Sequence, residues 1–375
     1  MKKIFNIKNE ENFKIITLLG KKFYFLRDRA YLKFIDRQND VLFALFNMRM
    51  AEPAELKEYF ERYLLFDYKY LDLTKKDLNI NLGDYVQTLA TQRVLKQILP
   101  QKAYSFADRD NLSNYSSRLS FCVMQGFFAH GATFLPNNRI YPIWVGTHFA
   151  KSSQEDILRF LKFNPDYFSN QEIGCRDAFT KDFLSKIGVK AYLSRCLTLT
   201  FPLREKQETQ TKVFIVNVPQ KYLKYIPKDV LKNAVFVNQR YIPINNRLDI
   251  YNRDFYLSQT ETLLNRYKKE AKLIITAALH CASPCTAMGI PVVLINDEPL
   301  NTRFDFLKGI LKIYDYGDFK RKKVNFNPKA PNIEKLKEYM IKNLELSIKL
   351  TQKKDINIEE VKAVREKIEK FSVKI

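Results

Sequence analysis

From residue 60 onward, short apolar runs alternate with segments of helical period, and this alternation constrains the fold more than any single motif. Apolar runs spaced by roughly 10–15 residues of helical pattern cannot pair as hairpins, so they imply βαβ units and a mainly parallel sheet. Asn81, Gly83 and Asp84 open a helical segment in which Val86, Leu89, Ala90, Val94 and Ile98 share one face. "RLSFCVMQ" and "RIYPIWVG" read as buried strands, and "SQEDILRFLKF" as a helix capped by Ser153. Residues 171–201 carry a whole unit: a strand ending at Gly174, Asp177 as helix cap, Gly188 as helix stop, and a second strand. Arg176 falls at the switch from strand to helix. After a polar stretch, "REKQETQTK", the runs "VFIVNVP", "NAVFVNQ", "AKLIITA" and "IPVVLIN" repeat the alternation.

The chain has 375 residues, enough for two domains of about 150 residues with extensions. Four regions follow: a basic extension over 1–60, lobes over 61–205 and 206–330, and a helical extension over 331–375. In the last, Leu336, Met340, Leu344 and Ile348 form one stripe, and Val361, Val364 and Ile368 another. With 46% apolar and 14% aromatic residues the chain is not a disordered one. Its net charge of +22 favours anionic partners, although no signature of nucleic-acid recognition accompanies it. Five scattered cysteines in apolar runs suit reduced, buried thiols of a cytoplasmic protein, and no metal-ligand spacing is present. Residues 1–40 hold ten basic and five acidic side chains among Phe, Ile, Leu and Tyr. That mixture suits either a strand pair with solvated lysines or a segment lying on an anionic membrane surface.

The three histidines are placed by this reading at strand ends: His130, His148 and His280. Histidine has an ordinary pKa of ~6.5 and suits proton transfer near neutrality. His280 lies just beyond the strand "KLIIT", at the start of a short helix, where amides and dipole favour an anion. A capping or core histidine is the plainer alternative, as helix capping is for Asp84 and Asp177.

Several segments together resemble one family: "NLGDYVQTLA", "DRD" at 108–110, "MQGFFAHG", "IGCRDAFTKDFLSKIGVKAYLSRCLTLTF" and "AKLIITAALHCASPCTAMGIPVVLI". In order, over about residues 63–310, they look like the polysaccharide pyruvyl transferases. The resemblance implies two Rossmann-like lobes facing a cleft, as in GT-B glycosyltransferases, with the basic extension and the carboxyl-terminal helices outside it. It implies transfer of pyruvyl from phosphoenolpyruvate to a sugar of a surface polysaccharide or its lipid-linked precursor, with no cofactor or metal. His280 is then the general acid, with Asp84 or Asp177 as base for the attacking hydroxyl. Arg176 and Arg303, with Leu279 and Ser283, are the expected donor contacts; His130, His148, Asn81 and Gly83 are expected at the acceptor side or cleft.

One departure stands out. The family's Arg-Leu-His motif falls on Ala278, Leu279 and His280, so its arginine is absent. Either Arg176 or Arg303 replaces it, or the donor is a nucleotide-activated sugar on the same architecture. A non-catalytic glycan-binding protein on this scaffold is the third reading. Expected partners are thus the donor, a glycan or lipid-linked glycan acceptor and an anionic membrane surface, without nucleic acid.

Overall fold

The computed structural model describes residues 5–9, 13–18, 21–26, 62–68, 80–129, 133–241, 253–296, 298 and 302–373. At the amino end, β1 (Phe5–Asn9), β2 (Phe13–Leu18) and β3 (Lys21–Leu26) form an antiparallel sheet in that order. The described part of the basic, aromatic stretch is therefore three antiparallel strands, with Ile15 buried and Ile7, Leu18 and Phe23 exposed.

Beyond it, the parallel pairing implied by the alternation is present, but the strands are shared among three sheets. The first contains β4 (Arg62–Asp67), β6 (Ala103–Asp108), β7 (Ser120–Val123) and β9 (Ile140–Ile143), in the order β6-β4-β7-β9. The second contains β8 (Gly126–Phe128), β10 (Thr147–Phe149), β11 (Ile173–Cys175) and β12 (Ala191–Leu193), in the order β12-β11-β10-β8. A five-stranded sheet follows: β13 (Lys212–Val216), β14 (Ala234–Val237), β16 (Ala271–Thr276), β17 (Val292–Ile295) and β18 (Ile313–Tyr314), ordered β14-β13-β16-β17-β18. A short antiparallel pair, β5 (Ile80–Asn81) with β15 (Arg240–Tyr241), ties the two halves of the chain together.

The division into first and second sheets has a local cause. The chain leaves β7 and enters β8 across Met124 and Gln125, and leaves β9 and enters β10 across Trp144, Val145 and Gly146. Gly146 has φ +75°, a left-handed conformation that a side chain would resist, and it turns the second of these apolar runs out of its first sheet.

Helices α1 (Leu82–Ile98), α2 (Lys151–Leu161) and α3 (Ala178–Lys186) link these strands. In the second half come α4 (Gln220–Leu223), α5 (Lys228–Lys232), α6 (Arg253–Glu270), α7 (Leu279–Ala287) and α8 (Tyr316–Lys320), then α9 (Glu334–Thr351) and α10 (Ile358–Lys370). Asn81 caps α1 by accepting from the Gly83 amide at 3.0 Å, and Asp177 caps α3 by accepting from the Thr180 amide at 3.1 Å. The expected Ser153 cap is not one: α2 begins two residues earlier, and Ser153 donates instead to the Phe128 carbonyl. That bond fastens α2 to the second sheet.

Among the described residues the apolar side chains form three clusters, and the largest joins both halves of the chain. Val86, Leu89, Val94 and Leu95 of α1 meet Tyr63 and Phe121 of the first sheet, Phe214 and Ile274 of the five-stranded sheet, and Leu279 and Cys281 of α7. Each fully buried side chain of this size contributes about 1.5–3 kcal/mol, so α1 is held from both halves of the chain. The stripes Leu336, Met340, Leu344, Ile348 and Val361, Val364, Ile368 are buried as expected. The five cysteines are free and buried. Among the described residues no helix is long and apolar enough to cross a membrane.

Candidate active site

Three strand ends and two helix starts converge here. Arg109 follows β6, Arg176 and Asp177 follow β11, and His280 follows β16 by one turn of chain. Asp84 lies in the first turn of α1, and Arg303 on a short 3-10 helix, Thr302–Leu307. The starts of α1 and α7 touch: a Cβ added at Gly83 would lie 3.2 Å from the His280 Cβ and 3.4 Å from its Nδ1. Only glycine allows that approach without displacement. Replacing Gly83 with Ala favours the helix by about 1 kcal/mol but pushes the imidazole by a few tenths of an ångström. The expected outcome is a melting temperature near that of the wild type with turnover reduced roughly tenfold, measured by calorimetry and steady-state kinetics.

His280 is 5% exposed, and its Nε2 has no hydrogen-bond partner among the described residues. Burial holds its pKa well below the ordinary value, and the charges of Arg176, Arg303 and Arg109 push it further down; a hydrogen bond at the Gly83 backbone opposes them. The ring is thus neutral, with its Nδ1 edge toward Gly83 and its other nitrogen unengaged.

Arg176 is unusual in how little answers it among the described residues. It is fully buried, and among the described residues neither of its terminal nitrogens meets a hydrogen-bond partner; its Nε reaches Asp177 Oδ2, at 3.4 Å. The Phe127 ring supports both neighbours, with the Arg176 and Arg303 guanidinium carbons 5.8 and 4.8 Å from its centroid. Arg109 is buried, lies 4.9 Å over the Tyr68 ring, and pairs with Asp110 at 2.8 Å and Asp84 at 3.6 Å. Each buried donor left unsatisfied costs about 1–3 kcal/mol, and a guanidinium whose two terminal nitrogens stay open in this way has the chemistry to receive an anion. The dipoles at the starts of α1 and α7 act in the same direction.

His148 lies inside β10 rather than in a loop, because the run "RIYPIWVG" continues past Gly146 into that strand. It is buried and stacked on Phe127 with centroids 5.0 Å apart, and its Nδ1 lies 2.5 Å from Asp177 Oδ2. Burial and the charge of Arg176 lower its pKa to about 4, against the pull of Asp177. Neutral His148 therefore donates to Asp177. Burial works to raise the Asp177 carboxyl, yet the hydrogen bond from His148 and the charge of Arg176 leave it below its ordinary value. Its other oxygen accepts from the Thr180 amide and hydroxyl.

The remaining expected site residues fall in different places. Asp84 accepts from Gln87 Nε2 at 3.3 Å and faces Arg109. Leu279 is buried in the central core, and Ser283 bonds the Leu279 carbonyl and the Thr198 hydroxyl, at 3.1 and 2.7 Å, away from the arginines. His130 lies outside the described residues. Two members of the cluster were not expected as site residues, Arg109 and Phe127. Arg109 had a legible signal, a basic residue between two acids directly after an apolar run.

The model of the polysaccharide pyruvyl transferase family matches residues 81–299, more than half of the chain. The chain belongs to that family. No curated protein matches it significantly. As a pyruvyl transferase family member it is a transferase, and the matched span contains Asp84, Arg109, Arg176 and His280. Arg303 and the carboxyl-terminal helices lie beyond it.

Proposed function

We propose that the arginine cluster binds phosphoenolpyruvate and that the enzyme transfers its pyruvyl group to a sugar of a surface polysaccharide or of its lipid-linked precursor. The observation that carries this reading is the pair of unanswered Arg176 terminal nitrogens, set within electrostatic reach of a histidine whose Nε2 is also unengaged. Phosphoenolpyruvate brings a phosphate and a carboxylate, both suited to planar guanidinium contacts. Alanine at 278 removes one arginine of the family motif, and Arg109 and Arg303 stand in for it. In this reading the cluster lies in a cleft between two Rossmann-like lobes, one contributing Asp84, Arg109 and Arg176 and the other His280.

His280 protonates the methylene carbon of the enol, and positive charge develops at the adjacent carbon as a sugar hydroxyl adds to it. Loss of phosphate and attack by a second hydroxyl close the ketal. One hydroxyl proton replaces the one given by His280, and the other leaves with the phosphate. Asp84, at the edge of the cluster, takes the proton of the attacking hydroxyl, while Asp177 holds His148 and Arg176 in place.

The donor itself completes the acid. Its negative charge offsets the arginines that depress the His280 pKa, so binding raises that pKa and draws a proton onto Nε2. Between about pH 6 and 8, binding of phosphoenolpyruvate is expected to take up protons. Calorimetric enthalpies measured in buffers of different ionisation enthalpy read this directly. Binding without proton uptake, or uptake retained in His280→Gln, contradicts the role given to His280. The reaction itself is tested by incubating the enzyme with phosphoenolpyruvate and lipid-linked glycan, with phosphate release and a pyruvate ketal on the glycan as the expected products. A nucleotide sugar consumed in place of phosphoenolpyruvate favours the glycosyltransferase alternative.

A further inference from the structure

The carboxyl-terminal helices and Arg303 lie outside the family-matched span, yet one buried side chain joins them. Arg195 follows β12 and has φ 58°, a left-handed conformation that costs a non-glycine residue about 1 kcal/mol or more. This backbone turns its side chain inward, where it is 3% exposed. Its planar fork reaches three main-chain carbonyls: Nη1 donates to Phe306 at 2.7 Å, Nε to Ile368 at 3.1 Å, and Nη2 to Phe371 at 2.9 Å. Phe306 lies one turn beyond Arg303 on the same 3-10 helix, and Ile368 and Phe371 belong to the end of α10. The Val373 amide closes the tie by donating to the Gly309 carbonyl at 2.7 Å. Among the described residues no carboxylate pairs with Arg195, so its hydrogen-bonding capacity is spent on holding two segments of chain together.

We infer that Arg195 is a positioning residue that fixes Arg303 over the donor site by clamping its 3-10 helix to the carboxyl-terminal tail. Three carbonyls on two segments define a geometry that only a guanidinium spans; lysine carries the charge but offers a single nitrogen. The tail is thereby a structural part of the anion site without touching the ligand. Two elements already described lead into the clamp. Ser194 donates to the Cys175 carbonyl and accepts from the Gly146 amide, so the residue before Arg195 is fixed to the strand end that carries Arg176. The second and third arginine-bearing segments are then referenced to one another through Arg195.

The inference rests on the donor reading above, and a double-mutant cycle in the full chain separates the two. Dissociation constants for phosphoenolpyruvate and for inorganic phosphate are measured calorimetrically for wild type, Arg195→Lys, Arg303→Met and the double variant, with melting temperatures alongside. Arg195→Lys is expected to weaken binding about tenfold and to raise KM more than it lowers kcat, while in the Arg303→Met background the same change has almost no further effect. Val373→Pro removes the Gly309 bond and leaves Arg195 intact. It is expected to act in the same direction and with the same dependence on Arg303, and it decides the matter if Arg195→Lys does not fold. Equal effects in both backgrounds, or no effect on affinity, overturn the clamp. A wild-type protein that binds neither ligand overturns the donor reading, and the clamp with it.

Discussion

Replacing His280 with Gln is expected to abolish pyruvyl transfer, by about a hundredfold to ten-thousandfold, the range that general acid catalysis supplies, while leaving the fold intact. Glutamine keeps much of the volume and a hydrogen-bonding group toward the Gly83 backbone but cannot deliver a proton to a carbon. Because Nε2 has no partner among the described residues, no hydrogen bond to them is lost at that atom. The melting temperature should therefore change by no more than a few degrees, and phosphoenolpyruvate should still bind, since the arginines remain. Steady-state kinetics and calorimetry on one preparation read all three. A core histidine would behave in the opposite way, with loss of stability and retention of activity in whatever fraction remained folded.

Arg176→Met should separate binding from stability still more sharply. In the wild type the guanidinium is fully buried with two terminal nitrogens unanswered, a state that opposes folding by about 1–3 kcal/mol for each unsatisfied group. Methionine has similar reach and needs no partner, and Asp177, which loses the ion pair with Arg176, keeps its bonds from His148 and Thr180, so the variant should melt at about the same temperature. Its affinity for phosphoenolpyruvate should fall by about 3 kcal/mol, more than a hundredfold, because the donor's oxygens lose their most buried contact. A variant less stable than the wild type would mean that Arg176 belongs to the internal framework and not to a ligand site.

These two residues were legible as candidates because both lie where a parallel strand gives way to a helix, Arg176 directly after β11 and His280 in the first turn of α7, four residues past the end of β16. The same logic placed Asp177 as a cap, a role set by neighbours three residues away, whereas the cap of α1 is Asn81 and not Asp84. It failed where distant chain decides. "RIYPIWVG" reads as one strand because its apolar character is unbroken; the glycine at its end turns the chain into a second sheet, and His148 moves from a loop to a buried strand. Ser153 has the composition of a cap, yet the Phe128 carbonyl, 25 residues away, takes its hydroxyl. Leu279 and Ser283 sit beside His280 in sequence, but helical geometry turns them toward the core. Arg195 gave no local signal, since its partners lie 111 to 176 residues further along the chain. Phe127 was hidden for a similar reason, as its ring matters only once two arginines from remote segments lie over it.

The account depends on the arginine cluster being a site for phosphoenolpyruvate, and thermal unfolding with and without ligand tests that most directly. At a hundred times its dissociation constant, a ligand bound only by the folded protein adds about 2.7 kcal/mol of stability. Phosphoenolpyruvate is expected to raise the melting temperature of the wild type by several degrees and that of Arg176→Met hardly at all. Stabilisation of the wild type by a nucleotide sugar but not by phosphoenolpyruvate would contradict it.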